Sequence, residues 1–280
     1  MRIMAWAIAI LTATVMGGGT CPAQEKGAPA AVASTESTVQ TAKAAPQSAE
    51  ILARCQAALA EAGTYRAELK LEAWYPTRYT SEISVIASPS GDERAEIKTT
   101  MRADSFKSLE VVAGGILWNE QSTPQGKVVL KTDINEIRKA LAAEKAEFAP
   151  LPAQGAGAMF DLAGLASLVD FTQAGETSLG ERQVFALTGG LAAKFAEGKA
   201  RLPAAAAKFY KAAAVYVDRN DFLPVRIELG SENGKPLVRL DFLKIEKNVT
   251  VPEGAFSYEV PADAELVDLT ASALSELTVK

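Results

Sequence analysis

The sequence predicts an α+β fold in which one large antiparallel sheet carries helices on one side. The first observation is a series of segments with period-two alternation of apolar and polar residues, separated by short turn-rich gaps such as residues 88–92. The second is helical periodicity at the start of this series and again in the middle of the chain. The third is a hairpin signal near the end, where two alternating runs flank Asn233 and Gly234.

Residues 1–23 have the composition of a signal peptide. A single arginine precedes an apolar stretch over residues 3–16, and small residues follow it. The stretch is shorter than the roughly 20 residues that a membrane-spanning helix needs. We therefore expect an exported, periplasmic protein. Cleavage after Ala23 is one outcome. The other is cleavage before Cys21 with a lipid on its sulfur, which would anchor the protein to a membrane.

The segment at residues 24–48 is predicted to be a disordered linker, because small and polar residues dominate and large apolar side chains are almost absent. A helix is predicted from residue 49, with Ser48 as its N-cap and Gly63 at its end. Cys55 lies on the apolar face of this helix, so we expect it to be buried. The folded domain is expected over residues 49–270, followed by a C-terminal tail over residues 271–280.

Within this domain, short alternating runs predict strands and longer apolar patterns predict helices. Besides the hairpin, the predicted strands cover residues 65–75, 81–87, 94–101, 108–112, 115–119, 127–131, 171–174, 183–187 and 256–260. Helices are predicted over residues 133–146 and 159–169, and over residues 191–213 on the strength of their alanine content. Short gaps between the first six strands indicate an antiparallel meander.

The second strand of the hairpin has apolar residues at both odd and even positions. One set is Val238, Leu240 and Phe242, and the other is Leu237, Leu243 and Ile245. A sheet with one solvated face needs only one apolar set. The second set therefore predicts a sheet that is covered on both sides or that encloses an apolar cavity.

Composition excludes several classes of function. The net charge of −5 argues against nucleic acid as a partner, because phosphates require basic patches. The chain contains no histidine, which excludes His-based catalytic triads and argues against a catalytic zinc site. We expect no metal, no cofactor and no enzymatic activity. An enzyme would have to use carboxylates, lysine or tyrosine.

Several segments, taken in their order and spacing, resemble a known family. They are the opening helix with Tyr65-Arg-Ala-Glu-Leu after it, Gly-Gly-Ile-Leu-Trp-Asn at residues 114–119, and Leu-Gly-Glu-Arg-Gln-Val-Phe-Ala-Leu at residues 179–187, followed by residues 216–226 and 256–261. Together they resemble the LolA-like family of outer-membrane lipoprotein carriers, over residues 49–268. One departure is that the Arg-Pro pair of an early strand in the lipoprotein-sorting members is missing from residues 97–102, where Lys98 and Arg102 are the basic residues.

The resemblance implies an unclosed antiparallel half-barrel whose concave, apolar face is plugged by helices and accepts acyl chains, without catalysis. The implied cavity residues, for which ordinary core under a helix is the alternative, are Leu69, Leu71, Ile83, Val85, Ile97, Leu117, Trp118, Leu240 and Phe242.

The first functional hypothesis is therefore a periplasmic carrier or binder of lipid or lipoprotein acyl chains, with lids formed by the middle helices that move for release. An inner- or outer-membrane protein is a further expected partner. The alternative is a cell-envelope sensor or protein-interaction module with the same fold. A third hypothesis is an exported hydrolase that uses carboxylates.

Overall fold

The computed structural model describes residues 45–74, 77–123, 126–143, 162–192, 211–231 and 234–278. Its helices are α1 (Ala45–Ala60), α2 (Ile134–Ala143), α3 (Leu162–Leu168) and α4 (Thr270–Thr278). Its strands are β1 (Tyr65–Ala73), β2 (Tyr79–Ala87), β3 (Glu93–Met101), β4 (Asp104–Ala113), β5 (Ile116–Thr123), β6 (Gly126–Asp133), β7 (Val169–Leu179), β8 (Arg182–Leu191), β9 (Ala212–Asp218), β10 (Pro224–Gly230), β11 (Pro236–Lys247) and β12 (Ala264–Asp268).

All of these strands belong to one 12-stranded sheet with the order β12-β6-β5-β4-β3-β2-β1-β11-β10-β9-β8-β7. Neighbouring strands are antiparallel except β12, which runs parallel to β6. In the described part of the chain, β7 and β12 each pair on one side only, so the sheet is not closed into a barrel. The predicted α+β class, with one unclosed and largely antiparallel sheet, is confirmed.

Strand β1 shows how the alternation in the sequence becomes two faces of the sheet. Ala67, Leu69 and Leu71 are buried, whereas Glu68 between them is exposed. Since successive side chains on a strand point to opposite faces, we name the face that bears Leu69 the inner face and the face that bears Glu68 the outer face. Helix α1 and its hydrophobic partners lie over the inner face of β7–β9.

A β-bulge in β11 explains why this strand carries two apolar sets. The register against β1 shifts at Leu243, so that Phe242 pairs with Leu69 but Ile245 pairs with Ala67. One extra residue in a strand moves every following side chain to the other face. Ile245 therefore joins the inner face, and Leu243 is left 54% exposed. The expectation that Leu243 and Ile245 share a second covered face is wrong.

Helix α1 starts earlier than the sequence predicts. It begins at Ala45, and Ser48 is a buried residue inside the helix rather than its N-cap. Pro46 is tolerated because the first turn of a helix leaves its N–H groups without intrahelical partners. Residues 45–48 thus belong to the fold and not to the predicted linker. The rest of that linker and the predicted signal peptide lie outside the described residues.

The segment after β11 crosses the outer face of the sheet and does not pair as a strand. Tyr258 stacks on Trp118 with ring centroids 5.5 Å apart, and its hydroxyl donates a hydrogen bond of 3.0 Å to Glu120 Oε2. These contacts hold the segment across β5 instead of alongside a neighbouring strand. The strand predicted at residues 256–260 is therefore wrong, and the last strand is β12.

A helix occupies the region that the sequence predicted to be a tail. The backbone N–H of Thr270, at the start of α4, donates a 2.9 Å hydrogen bond to Asp268 Oδ1. Lys131 Nζ of β6 donates a 3.0 Å hydrogen bond to Asp268 Oδ2. This carboxylate ties the end of β12 and the start of α4 to β6, and α4 packs against α2.

Alanine content misled the prediction for residues 191–213. Leu191 ends β8, and Ala212 and Ala213 belong to β9, where Gly189 and Gly190 are their partners. Pairing with a neighbouring strand overrides the helix propensity of alanine. The remaining residues of that predicted helix, 193–210, lie outside the described part of the chain.

Among the described helices, none is long and apolar enough to cross a membrane.

Candidate functional site

Most of the predicted cavity residues form one surface in the centre of the inner face. Leu69 pairs with Ile83 of β2 and Phe242 of β11, and Ile83 pairs with Ile97 of β3. Antiparallel pairing places directly opposed side chains on the same face, close enough to touch. We name this surface the apolar wall; it comprises Leu69, Leu71, Ile83, Val85, Ile97, Leu240 and Phe242.

Two of the predicted residues lie elsewhere. Leu117 is on the inner face but packs in a separate small cluster with Val112 and Ile134. Its neighbour Trp118 points to the outer face, where it stacks on Tyr258. Because consecutive residues of a strand face opposite ways, a set that contains both cannot line one surface.

The inner face continues beyond the apolar wall over β7–β10, a part that contains none of the predicted cavity residues. Helices α1 and α3 contribute to this second cluster, which contains Ile51, Leu52, Cys55, Leu162, Leu168, Val169, Phe171, Ala174, Leu187, Ala192, Ala213, Val215 and Val217. Leu59 and Ile227 pack against both clusters, so the two are continuous. The alternation of Val215 and Val217 in the sequence is the signal that could have revealed this part.

The apolar wall is buried in this structure. Leu69 is 1% exposed and Ile83 is 3% exposed, while Ile97 is half-buried at the side nearest β4. Leu59 of α1 is one of the side chains that cover the wall. Apolar contact of this kind is non-directional and stabilises by about 25 cal/mol per Å² removed from water.

Polar side chains follow the apolar wall on the next two strands of the inner face. Glu110 of β4 is 1% exposed, and Asn119 and Gln121 of β5 are 4% and 8% exposed. Asn119 Nδ2 donates a 2.7 Å hydrogen bond to Glu110 Oε1, and Gln121 Nε2 donates a 3.0 Å hydrogen bond to Asn119 Oδ1. We name these three residues the polar track. Sequence reasoning missed them because each falls in an ordinary alternating strand.

Cys55 and Tyr65, two titratable residues near the clusters, are shifted toward their neutral forms. Burial, followed by the negative charge of Asp221, raises the pKa of the Cys55 thiol to about 12. Burial and then the carboxylate of Glu93 raise the pKa of the Tyr65 hydroxyl above its ordinary value. A thiol with so high a pKa is a poor nucleophile at neutral pH, since the thiolate is the reactive form. Cys55 is thus a core residue, as predicted.

The outer face of β1–β5 carries an open cleft of about 670 Å³. Acidic and basic side chains alternate along it, among them Glu68, Lys70, Glu82, Glu96, Lys98 and Lys107. The exposed Leu243 also lines the cleft. The mixture of charges gives the cleft no single preference for anions or cations.

The basic residues of the segment where the family has an Arg-Pro pair do not face the apolar wall. Lys98 is on the outer face, 3.7 Å from Glu82. Arg102 lies in the turn between β3 and β4 with a φ of 56° and is exposed. Neither takes part in covering the inner face.

Ion pairs tie the central strands together on the outer face. Arg239 Nε of β11 lies 2.8 Å from Glu228 Oε1 of β10, and Arg226 Nε lies 2.5 Å from Asp241 Oδ1. Arg239 also lies 5.4 Å from the ring of Trp74. These charged groups stabilise the pairing of β10 with β11 opposite the apolar wall.

No group of three or more cysteine, aspartate or glutamate residues suited to a metal ion occurs within the described residues.

No family model matches the chain, and no curated protein matches it. Similar solved structures include an uncharacterized conserved protein from Thermus thermophilus, with 16% identity, a TM-score of 0.47, and coverage of 79% of this chain and 99% of that chain. A chain of the Pseudomonas aeruginosa MucA/MucB complex has 16% identity, a TM-score of 0.41, and coverage of 76% and 61%. A LolA superfamily protein from Nitrosomonas europaea has 11% identity, a TM-score of 0.31, and coverage of 75% and 97%. Similarity at this level of identity concerns the fold alone.

Proposed function

We propose that the protein is a non-enzymatic periplasmic binder or carrier of lipid or lipoprotein acyl chains, which lie along the apolar wall. The observation that carries this proposal is the register of β3, β2, β1 and β11, which joins large apolar side chains into one inner surface. Leu, Ile, Val and Phe side chains offer neither a nucleophile nor a proton-transfer group. Their chemistry fits the binding of hydrocarbon and not its conversion.

Acyl-chain binding requires an exchange of partners at the wall. The wall is buried, so a guest chain replaces apolar contacts such as those of Leu59 and does not fill an open space. Each methylene that leaves water contributes about 0.8 kcal/mol, which corresponds to about fourfold in affinity. Affinity should then depend steeply on chain length.

The test is a calorimetric titration of the protein with straight-chain alcohols of increasing length. We expect affinity to rise severalfold with each added methylene and binding to show a negative heat-capacity change, the signature of apolar burial. Affinity that does not depend on chain length would contradict the proposal. That result would favour the alternative of a cell-envelope sensor or interaction module that docks a protein partner.

A further inference from the structure

We propose that Phe222 positions helix α1 over the inner face, and that its contact with Arg54 controls how readily an acyl chain reaches the apolar wall. This inference rests on the proposed function and identifies a positioning residue for the same site. We name the contact the α1 clasp; it comprises Arg54 of α1, Phe185 of β8, and Phe222 of the turn between β9 and β10.

The α1 clasp joins the helix to the sheet through a cation and two aromatic rings. The guanidinium carbon of Arg54 lies 3.7 Å from the centroid of the Phe222 ring, which stacks on the Phe185 ring with centroids 5.8 Å apart. In the same turn, Arg219 Nη1 lies 2.8 Å from Glu176 Oε2 of β7, so the turn is attached to the sheet independently of α1. A cation over a ring and a pair of rings attract each other only at defined distances and orientations. The clasp therefore favours one position of the helix.

Phe222 presents its ring to α1 from a backbone conformation that few bulky residues adopt. Its φ is 58°, in the left-handed region that favours glycine. The turn imposes this conformation: the N–H of Phe222 donates a 3.1 Å hydrogen bond to the carbonyl oxygen of Asp218, and the N–H of Leu223 donates one of 2.9 Å to Asp221 Oδ1. Strained residues of this kind are concentrated at ligand clamps and switch regions. The strain points to a role for the ring beyond filling the core.

The α1 clasp lies where a movement of the helix is large. The chain directly after α1 is anchored, because the N–H of Asn248 donates a 3.0 Å hydrogen bond to the carbonyl oxygen of Ala62. A rigid helix that tilts about this anchor moves each residue in proportion to its distance from Ala62. A shift of about 2 Å at Leu59, which covers the wall, then moves Arg54 by about 5 Å. Such a movement separates the guanidinium group from the ring.

A hydrocarbon guest can replace the apolar contacts of α1 but not the clasp. Leu59 gives the wall apolar contact, which is non-directional and which an acyl chain supplies as well. An alkyl chain has no charge to replace the guanidinium group of Arg54 on the Phe222 ring. The loss of the clasp is therefore a cost of binding that the guest does not offset. A weaker clasp should raise the population of the uncovered state, and with it the apparent affinity.

The experiment is a calorimetric titration with dodecanol of the wild-type protein and of variants on and off the clasp. Phe222→Leu removes the ring but keeps an apolar side chain, and Arg54→Gln removes the cation; a double variant combines them. Phe222→Tyr keeps the ring and serves as the conservative replacement. Arg138→Gln is the matched control, because Arg138 is an exposed arginine on another helix, α2.

We expect Arg54→Gln and Phe222→Leu to bind dodecanol about twofold to fivefold tighter than the wild-type protein, which is the effect of losing one exposed cation–π contact. The double variant should gain no more than Phe222→Leu alone, because both substitutions break the same contact. Phe222→Tyr and Arg138→Gln should bind as the wild-type protein does. A residue that only stabilised the fold would leave the affinity unchanged or lower it.

Urea unfolding of each variant establishes that the titrated protein is folded. Should Phe222→Leu fail to fold, the comparison of Arg54→Gln with Arg138→Gln decides, because Arg54 is exposed. Unchanged or weaker binding by the clasp variants, or an equal gain in Arg138→Gln, would overturn this inference and leave acyl-chain binding intact. Failure of the wild-type protein and every variant to bind dodecanol would overturn the proposed function together with it.

Discussion

Replacement of Gly189 by alanine is expected to lower the free energy of unfolding by about 3 kcal/mol. Gly189 lies on the inner face of β8, opposite Phe171 of β7. A Cβ atom there would overlap the backbone carbonyl oxygen of Asp170 and lie 2.7 Å from the Cα atom of Phe171. Backbone atoms of a paired strand cannot rotate away from a clash as a side chain can. Strand β7 would therefore have to move away from β8. Urea unfolding should show a lower midpoint with an unchanged slope.

The neighbouring glycine provides the control for this prediction. A Cβ atom at Gly190 would lie 3.7 Å from the carbonyl oxygen of Lys211, an ordinary van der Waals distance. Gly190→Ala should therefore leave the free energy of unfolding within about 0.5 kcal/mol of wild type. Any change should be a small increase, because alanine reduces the conformational freedom of the unfolded chain. Equal losses in the two variants would show that the close approach of β7 and β8 is not as described.

Replacement of Ile97 by glutamine is expected to weaken alkyl-chain binding by about 5-fold to 140-fold. Ile97 is the half-buried member of the apolar wall and lies between the buried Ile83 and the polar side of the inner face. An amide at this position would be desolvated by a bound hydrocarbon without a hydrogen bond in return, a cost of about 1–3 kcal/mol. Each 1.4 kcal/mol is tenfold in affinity. Dodecanol titration of folded protein measures the change.

Lys98→Gln is the matched control, because it places the same side chain one residue further along β3 on the outer face. Binding should remain within about twofold of wild type, since surface substitutions away from a site change interaction energies by no more than about 0.5 kcal/mol. If both glutamine variants bound the alcohol as well as wild type does, the apolar wall would not be the binding surface. Urea unfolding of both variants separates lost stability from lost binding.

Much of the sheet could be predicted from the local alternation of apolar and polar residues. The errors of that prediction share a physical cause. Strands β2 and β3 were predicted within two residues of their observed ends because Ile83 and Val85, and likewise Ala95 and Ile97, alternate with polar residues. Residues 256–260 alternate as well, but the stacking of Tyr258 on Trp118 decides their course. The bulge at Leu243 depends on how β11 pairs with β1. The stacking of Tyr258 and the bulge in β11 both depend on contacts between distant parts of the chain, and a local sequence pattern contains no information about such contacts.

The candidate site was predictable to the extent that strand register follows from alternation. Leu69, Ile83 and Ile97 each occupy the apolar phase of their strands, so a shared face follows once the meander is assumed. Trp118, which was predicted with them, has the opposite phase to its inner-face neighbour Leu117 and lies on the outer face. Glu110 of β4 and Asn119 of β5 lie at positions that face inward. Their burial becomes visible only in the assembled sheet, because in the sequence they look like solvated polar residues.

Native mass spectrometry of the protein purified without detergent from its own host tests the acyl-chain proposal most directly. The apolar wall and its continuation over β7–β10 should retain a hydrocarbon guest, so we predict a population of the folded protein that carries one additional lipid-sized mass. Collisional activation should release this mass, and the Ile97→Gln variant should carry less of it than Lys98→Gln. Protein that shows only the mass of its polypeptide, under conditions in which its fold is intact, would contradict the proposal.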